Sequence, residues 1–456
     1  MHAPSDTIAA ISTAWGEAGI AVVRASGPCA VPLARSILRF GPKGFPPPRT
    51  MRLAALLDGA DNAIDQVLAV HFPGPHSFTG EDVVEVHTHG GTLVAQLCLE
   101  GLLRRGARMA EPGEFTRRAF LNGRMDLSQA ESVLGIIRSR SEEALRAAAR
   151  TLSGEFSEFV RQIRDELLTL QGDLEVGLDF PEDEALALDP TGLHDALETL
   201  RISLRDLEDR CSLGLLLREG IRVVISGRPN VGKSSLLNAL LKQSRAIVTA
   251  VPGTTRDIIE ETVTYRGIPI RLVDTAGLRV PSDEIEASGI ERARAALKQA
   301  DICLWLLDGS APLEDADRDY IRSLGTRESI IVLNKADKAL AVTEDDLRAI
   351  VPEGRTLAIS AKTGEGLDAL KEAIVAIATS GGALDAGLNV TARQLSELRA
   401  CAEAIAEAQR VLEADMGQDV TAALLGTARK ALERTLGIAA DDDLLDSIFS
   451  RFCVGK

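Results

Sequence analysis

The sequence predicts a multidomain chain. An α+β domain comes first, then an all-α helical domain, with an α/β phosphate-loop (P-loop) domain inserted into the helical one. Three observations predict this. Between residues 221 and 379 the apolar runs IRVVIS, IRLVDT, ICLWLLD, SIIVLN and TLAIS alternate with turns and helical patterns, which gives a parallel sheet with helices on both faces. On either side, over 124–217 and again after the Ser380-Gly381-Gly382 linker, Ala, Glu, Leu and Arg dominate and apolar residues recur three and four apart. That is the pattern of long amphipathic helices. Residues 1–122 carry strand-like runs bounded by Gly, Pro and Asp instead. The expected boundaries are 1–122, 123–217, 218–380 and 381–456, with the second and fourth segments forming one helical domain in two pieces. Two separate helical segments are the alternative.

In the first domain, 7–13, 19–27, 63–74 and 82–91 read as strands, and 29–40 and 93–105 as helices. The prolines at 46–48 mark a loop. Asp179-Phe180-Pro181 interrupts the first helical segment, and the acidic run 441–443 reads as a solvated helix start. With 456 residues, a single core is not expected. No apolar run approaches the roughly 18 residues that span a bilayer, and residues 1–6 lack the basic start of a secretory signal. The six cysteines, at 29, 98, 211, 303, 401 and 453, form no Cys-x-x-Cys pair. This argues against a disulfide framework or zinc site and points to a reducing cytoplasm. The net charge of -16 repels nucleic acid as a whole, so any RNA contact needs a local basic patch or a partner.

The chemistry centres on 227–234, which reads Gly-x-x-x-x-Gly-Lys-Ser between an apolar strand and an amphipathic helix. The glycines let backbone N–H groups face phosphate oxygens, and the helix start adds its positive dipole end. Asn230, Val231, Gly232, Lys233, Ser234 and Ser235 are the candidate contacts here; Lys233 can reach the β- and γ-phosphates, and the Ser234 hydroxyl can ligate Mg²⁺. Four further stations follow in order. Thr249, Ala250, Val251, Pro252, Gly253, Thr254 and Thr255 form a segment in which Thr255 can reach Mg²⁺ when a γ-phosphate is present. Asp274, Thr275, Ala276 and Gly277 end a strand, where Asp274 can hold Mg²⁺ through water and the Gly277 N–H can sense the γ-phosphate. Asn334, Lys335 and Asp337 end another, and Asp337 can accept both N1–H and N2–H₂ of guanine. Adenine has no 2-amino group and would leave that carboxylate unpaired. Ser360, Ala361 and Lys362 supply a backbone N–H for guanine O6. Together these five stations specify a GTPase.

Leu278 follows the Asp-x-x-Gly station, where Ras-type GTPases place a water-orienting Gln. Leucine cannot orient water. Asn230 can instead ligate a monovalent cation beside the β-phosphate, with Thr249, Val251 and Thr254 completing its shell, and Glu286 can orient water through a bridge. The plain alternatives are a loop hydrogen bond for Asn230 and a solvated charge for Glu286.

With GRPNVGKSS, PGTTRD and DTAGLR in one chain, the nucleotide domain resembles the potassium-dependent GTPases of the Era/TrmE class. SFTGEDVVEVHTHGG (77–91), EPGEFTRRAFLNGRMDLSQAE (111–131) and the Cys-x-Gly-Lys ending at 453–456 extend the resemblance to the tRNA-modification GTPase MnmE (TrmE) family across essentially the whole chain. The resemblance implies an N-terminal folate-binding-like domain that also dimerises the chain, and a flavin- and NADH-using partner, MnmG. It implies that the pair installs an aminomethyl or carboxymethylaminomethyl group on carbon 5 of the wobble uridine of tRNA. It also implies K⁺ at Asn230 and 249–254, and Glu286 as the water-orienting residue. Arg24, Glu81, Arg124 and Lys456 match the family's 5-formyltetrahydrofolate contacts, with Arg124 where a Lys is common. An anionic glutamyl tail suits Arg24, Arg124 or Lys456, and a pterin edge suits the Glu81 carboxylate. Arg24 and Glu81 also fit simple surface ion pairs. Cys453 stands near the implied one-carbon donor as a candidate nucleophile. His87 and His89 lack a third ligand and read as solvated or structural.

A regulatory or ribosome-assembly GTPase is the competing reading. It would need an RNA-binding module. Gly41-Pro42-Lys43-Gly44 matches Gly-x-x-Gly but runs into prolines rather than a helix.

Overall fold

The structure, a computed structural model, describes residues 6–179, 190–243, 260–274, 300–323, 328–350, 354–379, 387–414, 416–438 and 440–456. It divides into two compact units. One comprises Met1–Leu134, Thr151–Arg205 and Ser396–Lys456, the other Gly135–Arg150 and Asp206–Leu395.

The first unit holds strands β1 (Ile8–Ile11), β2 (Ala18–Ser26), β3 (Leu38–Phe40), β4 (Arg52–Leu57), β5 (Ala63–Phe72), β6 (Val83–Gly90) and β7 (Arg108–Met109). They form one sheet in the order β3-β4-β5-β6-β2-β1-β7. Alternation along β1 sorts its side chains by face. Ala9 and Ile11 join the core with helices Ala30–Ile37 and Thr92–Arg104, whereas Ile8 and Ala10 turn to Phe115 and Ala110 on the other face. One expectation needs correction here, and one strand was not expected. The helix expected over 29–40 stops at Ile37, because Leu38 turns extended (φ -123°, ψ 129°) and pairs with Leu56. The RLAALL run, whose Leu and Ala favour helix, is strand β4, paired on both sides with β3 and β5. Ladder formation overrides local propensity there.

The same unit carries helices Glu155–Asp179 and Gln418–Leu436. Phe156, Val160, Ile163, Leu167 and Leu174 form a buried stripe on the first, and Leu425, Ala428, Leu432 and Leu436 on the second. These spacings of three, four and seven keep one face of each helix apolar. Helix Glu155–Asp179 ends just before the expected break, whose Phe180 and Pro181 lie outside the described residues. The acidic run does start a helix, Asp442–Phe449, with the Asp441 carboxylate accepting from the Leu444 N–H at 2.8 Å.

The second unit holds β8 (Ile221–Ser226), β9 (Glu260–Tyr265), β10 (Ile268–Asp274), β11 (Ile302–Asp308), β12 (Ser329–Asn334) and β13 (Arg355–Ala358), in the order β13-β12-β11-β8-β10-β9. The five strands expected from the apolar runs are parallel to their neighbours. An additional strand, β9, pairs antiparallel with β10 at the edge. Both faces are covered. Val223, Ile225, Leu304 and Val332 pack with Leu236, Leu370 and Ile374, while Trp305, Leu307 and Leu333 pack with Ile321 and Leu347 on the opposite face. This is the doubly wound α/β arrangement. The chain leaves β8 for β10 on one side and later reaches β11 on the other, so strand order reverses at β8. Ligands of such sheets bind beyond the carboxyl ends of strands at that reversal.

Candidate functional site

The loop 227–232 sits where the reversal places it, between β8 and helix Lys233–Gln243. One buried side chain ties its end to two other stations. Asn334 ends β12 and is only 2% exposed. Its Nδ2 donates to the Val231 carbonyl at 2.9 Å, and its Oδ1 accepts from the Ala361 N–H at 3.0 Å. One amide therefore ties together the phosphate loop, the Asn-Lys-x-Asp station and the Ser-Ala-Lys station. Gly232 is the residue that permits it: at φ +103° an added Cβ would stand 2.3 Å from Asn334 Nδ2.

Charges around the loop are paired in a definite way. Lys233 Nζ donates to the carbonyls of Gly227 (2.8 Å) and Arg228 (2.7 Å). Lys335 Nζ bridges Asp308 Oδ2 (2.5 Å) and the carbonyl of Asn230 (3.3 Å). Asn230 itself adopts φ +67°, uncommon outside glycine but tolerated best by Asn. Burial raises the Asp308 carboxyl, but the bonds from Lys335 and Ser310 outweigh it and hold the group below its ordinary range. Arg228 pairs with Glu314 at 2.6 Å and Asp317 at 3.4 Å.

The base-reading side is equally ordered. Asp337 Oδ1 accepts from the buried Ser360 hydroxyl at 2.8 Å, and that bond above all holds the Asp337 carboxyl below its ordinary range. Ser360 Oγ in turn accepts from the Thr363 N–H at 3.1 Å. Gly232, Asn238, Lys335, Asp337 and Lys362 line a cleft of about 750 Å³ that Ser235 also borders. Ser234 follows Lys233 in the first turn of the loop's helix. Asp274 ends β10 level with Ile225, at the same sheet edge as the loop. The expected residues 249–255, 275–277, Leu278 and Glu286 lie outside the described residues.

A second polar cluster lies in the α+β part. Arg118 is 1% exposed, yet it donates to Glu81 (3.1 Å), to Asp6 (2.7 Å) and to Glu114 (3.5 Å). The Glu81 carboxylate also accepts from Ser26 Oγ at 2.7 Å. Arg24 forks onto Glu85 through Nε and Nη2 at 2.9 and 2.7 Å, with its guanidinium 5.3 Å from the Phe78 ring and 5.6 Å from the Phe115 ring. Arg124 Nε donates to the Ser77 carbonyl at 3.2 Å, and Asn122 Nδ2 to that of Thr79 at 2.7 Å. Segment 77–81 is thus held to segment 118–124. The chain's last residues close on the same place. The Phe115 N–H donates to the Lys456 carbonyl at 3.2 Å, and Pro112 bridges Val454. Gly455 (φ +94°) passes so near β1 that a Cβ would lie 2.5 Å from the Ile11 carbonyl. Cys453 is exposed. Arg24, Glu81, Arg124 and Lys456, distant in sequence, all belong to this one network of neighbours.

Two family models match the chain. Residues 7–124 match the GTP-binding protein TrmE N-terminus, and residues 127–453 match the MnmE helical domain. The chain is 43% identical over 460 residues to a tRNA modification GTPase MnmE of Symbiobacterium thermophilum, with 99% of each chain covered. It is 42% identical over 454 residues to the same-named protein of Dechloromonas aromatica, covering 99% of this chain and 100% of that one. For that of Enterococcus faecalis the identity is 40% over 457 residues, covering 99% and 98%. The chain belongs to the tRNA modification GTPase MnmE family.

Within this MnmE-family chain the TrmE match ends at Arg124, the residue that reaches back to the 77–81 segment. The helical-domain match runs across the whole nucleotide unit and ends at Cys453. Sequence reasoning missed Arg118, Asn122, Glu85 and Asp308. Arg118 had a usable signal, since Glu114 and Arg118 are four apart on helix Glu114–Leu121 and share its face. Nothing near Asp308 in sequence marks it; its partner Lys335 is 27 residues away.

Proposed function

We propose that this chain binds and hydrolyses GTP in a K⁺-dependent manner and, with MnmG, modifies carbon 5 of the wobble uridine of tRNA using a folate one-carbon donor. The observation that carries the nucleotide half is Asn334, which holds the phosphate loop and the Ala361 N–H in one hydrogen-bonded unit. Asp337, ionised and steadied by Ser360, reads the N1–H and N2–H₂ edge of guanine, and the Ala361 N–H, which otherwise donates to Asn334 Oδ1, turns to O6 when guanine binds. Lys233 exchanges its loop carbonyls for phosphate oxygens when nucleotide binds. Ser234 and Thr255 would hold Mg²⁺, with Asp274 behind its waters. Asn230, Thr249, Val251 and Thr254 would hold K⁺. The oxygens of these residues suit hard cations, and together the two ions supply positive charge to the β- and γ-phosphates. Glu286 orients the attacking water in this scheme, because Leu278 cannot.

In the N-terminal part, Glu81 receives the donor-rich pterin edge of a 5-formyltetrahydrofolate-type cofactor. The bonds from Ser26 and Arg118 leave acceptor capacity on Glu81 Oε1. Arg24, Arg124 and Lys456 favour its anionic tail. The homodimer and the role of Cys453 as nucleophile are part of the same reading. Steady-state GTP hydrolysis in matched K⁺ and Na⁺ buffers tests the cation: we expect acceleration by K⁺, and equal rates remove the ion. A tRNA-modification assay with MnmG, GTP and K⁺, with and without folate donor, tests the rest.

A further inference from the structure

A chain of net charge -16 that works on tRNA needs somewhere for an RNA backbone to rest. One cleft in the second unit has the chemistry. It has a volume of about 970 Å³ and is bordered by Arg138 at the end of helix Leu127–Arg138, Arg140 just after it, Arg218 near the end of helix Pro190–Glu219, Arg271 on β10, and Asn389. Four arginines and one glutamate, Glu219, border it, and Arg218 already donates to the Val390 carbonyl at 3.3 Å. Among the described residues, no carboxylate pairs with Arg140 or Arg271 within salt-bridge distance. Asn389 adds a second, independent feature. It is 5% exposed, and its Nδ2 has no hydrogen-bond partner among the described residues. The cleft therefore offers an excess of donors, one of them buried and unused, and a buried unused donor is costly until a ligand acceptor reaches it.

We propose that this cleft binds the phosphate backbone of tRNA; the inference rests on the tRNA-modification reading above. Guanidinium groups fork onto phosphate oxygens better than any other side chain. None of the described residues bordering the cleft is aromatic, so bases have no ring to stack on. The contact is with the backbone and is independent of base sequence. It lies apart from the guanine-reading residues, with which it shares no lining residue.

The test uses the full chain with R140E and R271E, singly and together, and R140K/R271K as the charge-keeping control. Binding of unmodified tRNA is followed by electrophoretic mobility or anisotropy across a series of salt concentrations. The double reversal should weaken binding about tenfold or more and lower the slope of log K against log salt by about two. The Lys pair should retain most of both, and GDP affinity should stay at the wild-type value in every variant. Wild-type chain that binds tRNA, with reversal variants that bind it equally and with an unchanged slope, overturns the cleft alone. Wild-type chain that binds no tRNA overturns the tRNA reading and the cleft with it. Inorganic tripolyphosphate that binds wild type but not the reversal variants, with tRNA binding unaffected by them, assigns the cleft to a small anion and overturns RNA as its occupant.

Discussion

Replacing Gly232 by Ala should cripple nucleotide binding, and the size of the effect can be worked out. The new Cβ would lie 2.3 Å from Asn334 Nδ2, and the backbone at φ +103° is one that L-residues seldom adopt. Holding a non-glycine residue there costs about 1–3 kcal/mol. Pushing the Asn334 amide aside also loses its bonds to Val231 and Ala361, each a net contribution of about 0.5–1.5 kcal/mol. The sum is about 2–6 kcal/mol. If it falls wholly on the binding-competent loop, GDP affinity drops by about 30-fold to about 20,000-fold. Isothermal titration with GDP measures this directly. Asn334→Ala should weaken binding too, but in the G232A/N334A double variant the obstacle is gone and only the dihedral strain of Gly232→Ala remains. The cycle should therefore show a coupling of about 1–3 kcal/mol. A Gly232→Ala protein that binds GDP within threefold of wild type, or effects that simply add, would refute the idea that Asn334 shapes the loop.

Other perturbations separate the two sites. Arg118→Met leaves Asp6, Glu81 and Glu114 without their buried cation and should lower the stability of the N-terminal part by about 3–5 kcal/mol in denaturant melts; an unchanged midpoint would show that the cluster carries no stability. Burial raises the Asp6 and Glu114 carboxyls, but hydrogen bonds from Arg108 chiefly outweigh it, so both titrate lower folded than unfolded. Their contribution is whole above about pH 5 and drains away as pH falls below it, so melts from pH 7 to 3 should steepen only at the acid end. Gly455→Val should drive a side chain into the Ile11 carbonyl and detach the Lys456 carbonyl from Phe115. Formyltetrahydrofolate binding should fall at least tenfold while GDP binding holds, and retained folate binding would separate the chain end from that site.

The nucleotide motifs were legible because each is a short stretch whose residues act through neighbouring backbone. Gly232 and Asp337 announce themselves by type and spacing. The reason Gly232 must be glycine was not legible, since the obstacle, Asn334, is 102 residues further on and arrives only when β12 takes its place in the sheet. Asp308 was invisible for the same reason. The five parallel strands read correctly as continuous apolar runs, whereas β9, with the polar text EETVTY, is an edge strand with no such run. β4 hid behind a helix-favouring composition. The folate-related residues came from resemblance to a family, and the structure adds what sequence spacing could not: Arg118 buried beneath Glu81, and the chain's last residues drawn to Phe115.

Calorimetric titration of the whole chain with GDP and with ADP, in Mg²⁺, tests most directly whether Asp337 and the Ala361 N–H read guanine. GDP should bind at least about 100-fold tighter than ADP, with Asp337→Asn erasing most of that margin. Equal uptake of the two nucleotides, or a margin that survives Asp337→Asn, would contradict it.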